Sequence, residues 1–126
     1  MLDQPPDVVV HVLDHAGVEF HLLARDRAGG GGEQIPAEPG KFYLRALDPK
    51  TGRMVWHYQE TPGDNWDFTS TQPMILADIN IDGAPRKVIL HAPKNGFFFV
   101  IDRTNGKFIS AKNFVDVNWA TGYDAN

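Results

Sequence analysis

Asp48-Pro49-Lys50-Thr51-Gly52-Arg53 and Asp102-Arg103-Thr104-Asn105-Gly106-Lys107 are two versions of one turn, 54 residues apart along the chain. In each, an Asp can accept backbone amides two residues on, and a Gly can take the left-handed conformation just before the chain reverses. Pro49 presets φ in the first copy. Strand-forming residues flank both turns, Phe42 to Leu47 with Arg53 to Tyr58 around the first, and Phe97 to Ile101 with Lys107 to Ser110 around the second. Between them, Pro73 to Ile79 and Arg86 to His91 read as a third hairpin, closed by Asn80 to Pro85. No 3.6-residue periodicity lasts beyond one turn, so this region is all-β and built of antiparallel hairpins. A repeat of about 50 residues with four short strands has the size of a propeller blade. Residues 41–126 therefore suggest one to two blades, and a closed ring takes at least about four. A small sandwich or meander with matching turns is the competing reading.

The chain around this repeat is uneven. It has 126 residues, 42% hydrophobic and 22% charged, with a formal charge of −4 and no cysteine. The absence of Cys excludes a disulfide scaffold, a thiolate metal site and a cysteine nucleophile. Mild acidity without clustered Lys and Arg argues against nucleic-acid binding, and no apolar run approaches the roughly 20 residues that span a bilayer. Residues 1–40 hold seven acids against Arg25 and Arg27, whereas all three Trp, all three Tyr and every Phe except Phe20 lie beyond residue 40. Three parts are expected: an N-terminal hairpin segment of unassigned origin over 1–27, a Gly/Pro-rich linker over 28–40, and the blade region over 41–126. In the first part, Val8 to Leu13 and Val18 to Leu23 form the hairpin around Asp14-His15-Ala16-Gly17. A four-residue loop there sets His11 opposite Phe20 and His21 opposite Val10, on different faces of the ribbon, which separates the two histidines.

A longer stretch carries a resemblance. Ala46-Leu47-Asp48-Pro49-Lys50-Thr51-Gly52-Arg53-Met54-Val55-Trp56 fits the pattern A-x-D-x-x-T-G-x-x-x-W. This resembles the tryptophan-docking motif that ties neighbouring blades together in the propellers of PQQ-dependent alcohol dehydrogenases. The run from Trp56 to Asp67, then Thr71-Gln72-Pro73-Met74, then Arg86 through Phe98, is similar to the quinoprotein and quinohaemoprotein branch of that family. The resemblance spans about residues 41–126. It implies PQQ and calcium as cofactors and a small alcohol as substrate. It further implies Asp67 as catalytic base and calcium ligand, with Lys94 and the adjacent Asn95 at the cofactor. A carboxylate that accepts the hydroxyl proton, a Lewis-acidic cation and an ammonium beside the quinone oxygens suit hydride transfer from an alcohol.

The family's remaining calcium ligands, its stacking tryptophan and its adjacent cysteine pair come from blades that precede the matched region. This chain has no Cys and no C-x-x-C-H haem attachment. The expectation is thus a partial site, in a fragment of an oxidoreductase. Two other readings stay open. One is a non-catalytic β-rich module that self-associates through open sheet edges or caps them with the residue 8–24 hairpin. The other is a metal-dependent activity built on His11, His15, His21, His57 and His91. The family implies a periplasmic location, while the N-terminal residues, read without a signal peptide, imply a cytoplasmic one.

Overall fold

The computed structural model describes the backbone of residues 9–13, 19–23 and 43, and residues 44–48, 50–66, 68 and 70–124 in full. The reading of 28–40 as a linker lies outside the described residues, as does His15. Eight strands run β1 (Val9–Leu13), β2 (Glu19–Leu23), β3 (Tyr43–Leu47), β4 (Met54–Gln59), β5 (Ile75–Ile81), β6 (Ala84–His91), β7 (Phe97–Asp102) and β8 (Phe108–Asn113). They form two four-stranded antiparallel sheets, each in the order of the chain: β1-β2-β3-β4 and β5-β6-β7-β8. All-β blades of four strands are thus the observed architecture. The first sheet is completed by the N-terminal hairpin, because β2 pairs along the whole of β3.

The two copies of the turn share their main bonds. In the first, the Asp48 amide donates to the Arg53 carbonyl at 2.9 Å and the Gly52 amide to the Asp48 carbonyl at 2.7 Å. In the second, the Asp102 amide donates to Lys107 and the Gly106 amide to Asp102, both at 2.8 Å. Each Asp carboxylate accepts the amide two residues on, from Lys50 at 2.8 Å and from Thr104 at 2.9 Å. The register shifts fall at the same place too, between Ala46 and Leu47 and between Val100 and Ile101. The repeat is therefore geometric as well as chemical.

Two expectations about hairpins change. His11 pairs with His21, not Phe20, because Leu13 lies opposite Glu19 and the connection spans 14–18. One extra loop residue shifts the register by one and moves every partner. The third hairpin is tighter than expected, since β5 runs to Ile81 and β6 starts at Ala84. Asp82 and Gly83 alone make the turn, with φ of 52° and 78°, the two left-handed residues of a type I′ turn. Pro85 sits inside β6 because β7 pairs only with Val88 to His91, so its missing N–H leaves no gap in that ladder.

The sheets pack through one core. Strand alternation turns Leu44 and Ala46 of β3, Trp56 of β4, Ile89 of β6 and Phe97, Phe99 and Ile101 of β7 inward. Ala46 is the cross-strand partner of Trp56 and leaves room for the indole. That indole reaches the second turn, where Nε1 donates to the Arg103 carbonyl at 3.0 Å. A Cβ on Gly106 would lie 2.6 Å from Trp56 Cε3, so the ring covers the glycine face directly. Arg103 then ties the turn to β5, with Nη1 donating to the Ala77 carbonyl at 2.8 Å and to Asp78 Oδ1 at 2.7 Å. Ser110 stands at the offset that matches Trp56, so the docking runs one way, from the first sheet onto the second.

Candidate functional site

Two connections at neighbouring strand ends hold the residues singled out from sequence. The loop after β4, residues 60–74, carries Asp67, and the turn after β6, residues 92–96, carries Lys94 and Asn95. Asp67 itself lies outside the described residues. The amides on either side of it both bond one carboxylate, since Trp66 donates to Asp64 Oδ1 at 2.8 Å and Phe68 to Asp64 Oδ2 at 3.0 Å. The flanking rings form a triangle with Trp119, at centroid distances of 5.6 Å for Trp66–Phe68, 5.4 Å for Trp66–Trp119 and 5.4 Å for Phe68–Trp119. Both neighbours of Asp67 are thus held by aromatic packing and by a local carboxylate.

The turn is more firmly built. Lys94 is exposed, between a buried Pro93 and a buried Asn95. Asn95 is 1% exposed. Its Nδ2 donates to Thr61 Oγ1 at 3.1 Å and lies 3.3 Å from the Glu60 carbonyl and 3.2 Å from the Tyr123 hydroxyl. Its Oδ1 accepts the Phe97 amide at 3.0 Å, and its carbonyl accepts Trp119 Nε1 at 2.9 Å. The amide group of Asn95 is therefore engaged by the protein on both sides, which fixes the backbone beneath Lys94.

Sequence reasoning missed a cluster under these connections. Glu60, Ser70 and His91 are 2%, 3% and 1% exposed. His91 Nδ1 lies 2.5 Å from Glu60 Oε1, and Nε2 lies 2.9 Å from the Gln72 carbonyl oxygen. Ser70 Oγ donates to Glu60 Oε2. Only His91 drew notice from sequence, as a metal candidate. Among the described residues no three His, Cys, Asp or Glu side chains come together to hold an ion. The described His57 is exposed on β4 opposite Arg45, away from His91's buried position.

Tyr58 and Tyr123 border an open cavity of about 370 Å³ with Pro62 and Phe108, and Lys94 and Asn95 are not in its wall. Burial, with added repulsion from Glu60 and Asp64, outweighs a bond to Thr61 and pushes Tyr123 up from 10.0 to about 12. Burial first, then Tyr123 and Glu60, hold Tyr58 above the ordinary range as well. A tyrosine is neutral when protonated, so folding favours the protonated form here. Its contribution to stability is whole below pH 10 and is lost as pH rises through the folded value. Denaturant midpoints are therefore expected to stay level to about pH 10 and fall between about pH 10 and 12. Tyrosinate absorbance should rise together with unfolding.

The chain is similar to several known proteins. The sequence profile of the PQQ glucose/ethanol/alcohol dehydrogenase β-propeller domain matches residues 42–117. The chain is 86% identical over 79 residues to the quinohemoprotein alcohol dehydrogenase of Comamonas testosteroni, covering 63% of this chain and 11% of that protein. It is 67% identical over 102 residues to the 1-butanol dehydrogenase (cytochrome c) of Thauera butanivorans, covering 81% of this chain and 14% of the relative. The crystal structure of the Comamonas testosteroni enzyme superposes with a TM-score of 0.77 and 57% identity, over 91% of this chain and 18% of that one. A europium-containing methanol dehydrogenase superposes at 0.74 with 32% identity, over 90% and 20% of the two chains. The chain thus spans less than a fifth of the curated relatives that it matches.

Proposed function

Because the chain belongs to the PQQ glucose/ethanol/alcohol dehydrogenase β-propeller family, we propose that it supplies one wall of the active site of a PQQ- and calcium-dependent alcohol dehydrogenase. The observation that carries this reading is the matched span, 42–117, which contains Asp67, Lys94 and Asn95 together. In that wall the Asp67 carboxylate accepts the hydroxyl proton of a small alcohol and is one ligand of the calcium ion. Lys94 directs its ammonium toward the cofactor oxygens, and Asn95 fixes the turn from which Lys94 projects. When bound, PQQ supplies the two-electron acceptor for the alcohol's hydride and calcium the Lewis acid beside it.

The residues present match part of the donor chemistry that the two groups need. An exposed ammonium on a well-anchored turn fits an anionic quinone edge. Calcium takes six to eight oxygens, and among the described residues no group of three ligating side chains converges. On this reading the other oxygens of the ion's shell come from outside the described residues. Such an enzyme works in the periplasm on this reading, and osmotic-shock fractionation of cells producing the whole protein reads that location.

A chimaera tests the assignment of Lys94. Residues 42–117 replace the corresponding segment of the Comamonas testosteroni quinohemoprotein alcohol dehydrogenase, and PQQ binding is measured by calorimetry. Lys94→Ala is expected to weaken binding by roughly tenfold, the worth of about one charge-assisted hydrogen bond at a wetted site. A dissociation constant unchanged by Lys94→Ala would remove this residue from the cofactor.

A further inference from the structure

We infer that His91 is a positioning residue, the clasp that closes both ends of the Asp67 loop onto the strand end leading to Lys94. Its two ring nitrogens reach opposite ends of the loop: Nδ1 meets Glu60 at the start, and Nε2 meets the Gln72 carbonyl near the end. The carbonyl can only accept, so Nε2 carries a hydrogen. A second hydrogen lies between Nδ1 and Glu60 Oε1, and Ser70 Oγ donates to the other carboxylate oxygen. Glu60 and Gln72 are thereby joined to His91, up to 31 positions away, through one imidazole, and Ser70 is added through Glu60.

The cluster has the residue types of a hydrolytic triad but not its layout. All three side chains are buried, and the nitrogen that would activate the serine is bonded to a backbone carbonyl instead. What the layout does perform is fixation. Asn95 bonds the Glu60 carbonyl and Thr61 Oγ1 from the Lys94 turn, so the start of the loop is held from both β6 and that turn. Tyr123 also donates to the Glu60 carbonyl. Between these anchors the Trp66 and Phe68 rings pack on Trp119, so the loop is held at both ends and at its middle.

This inference rests on the reading of Asp67 and Lys94 as reacting groups only for the purpose of the clasp. Its test uses the chain without cofactor, so it can fail while that reading stands. Proton NMR of the wild-type chain should show a slowly exchanging His91 Nε2–H. In His91→Phe, which fills the volume but makes neither bond, the Trp66 and Phe68 amides should exchange on the order of a hundredfold faster. The Ile101 and Asp102 amides, at the end of β7 away from the Phe99 that pairs with position 91, should exchange as before. Glu60→Gln should stay within about tenfold of wild type throughout, because its amide can donate to Nδ1 while Nε2–H keeps its carbonyl. Three results overturn the inference: no protected Nε2–H in wild type, equal acceleration of loop and strand amides in His91→Phe, or a Glu60→Gln loop as fast as that of His91→Phe. Should His91→Phe not fold, the wild-type resonance and Glu60→Gln still decide the matter.

Discussion

Trp56→Ala will destabilise the chain by about 3–5 kcal/mol, the largest single effect expected on folding. The indole is 7% exposed, lies between the two sheets, and carries a hydrogen bond to the Arg103 carbonyl. Its removal leaves a cavity lined by Ala46 and the Gly106 turn, and orphans a buried carbonyl. The turn is held by local bonds of Asp102 and by Arg103 on β5, so it cannot simply collapse into the space. Gly106→Ala attacks the same contact from the other side. Its Cβ would meet Trp56 Cε3 at 2.6 Å and Cδ2 at 2.7 Å, with φ at +73°. The ring can withdraw only by giving up its bond to Arg103. A second change at the same contact should therefore be strongly non-additive with the first. Urea unfolding of both single variants and the double variant measures this. A Trp56→Ala loss under about 1 kcal/mol would mean that the sheets are not joined through this indole.

The second large effect is on catalysis. In the chimaera, Asp67→Asn is expected to lower kcat by about 10²–10⁴-fold, the range for removal of a positioned general base, and to leave alcohol KM within a few-fold. The amide keeps the shape of the carboxylate but does not accept the hydroxyl proton at neutral pH. The bonds that fix its neighbours come from Asp64, so loop geometry should survive the substitution. Calorimetry separates the two roles proposed for the residue. Loss of calcium affinity in step with kcat assigns it to the ion, whereas calcium affinity retained with kcat lost assigns it to the proton. Full activity in Asp67→Asn would remove the residue from the chemistry altogether.

The contrast between these residues and the clasp shows where sequence was informative. The Asp48 and Asp102 turns could be read directly, because the bonds common to both copies lie within six residues and follow from the residue types. Trp56 was legible through its fixed distance from the first turn. The N-terminal hairpin was legible as an element but not in register, since one more loop residue exchanges Phe20 for His21 opposite His11. The third hairpin was legible, but its closing segment was read as Asn80 to Pro85; Pro85 fits within β6 because β7 pairs only with Val88 to His91. Asp67 and Lys94 are unremarkable by residue type and stood out only through the family resemblance. Glu60, Ser70 and His91 could not be joined from sequence. They meet because β4 and β6, in different sheets, end at the same side of the core, which is a property of packing and not of any local pattern.

The central claim is that these residues form one wall of a PQQ-dependent alcohol dehydrogenase site, and the rate of the unsubstituted chimaera tests it most directly. Alcohol-dependent reduction of an artificial electron acceptor, with PQQ and calcium supplied, should proceed within about tenfold of the parent Comamonas testosteroni enzyme, as expected when a site changes by less than about 1.4 kcal/mol. A chimaera that folds and binds PQQ but does not oxidise alcohols would contradict the account.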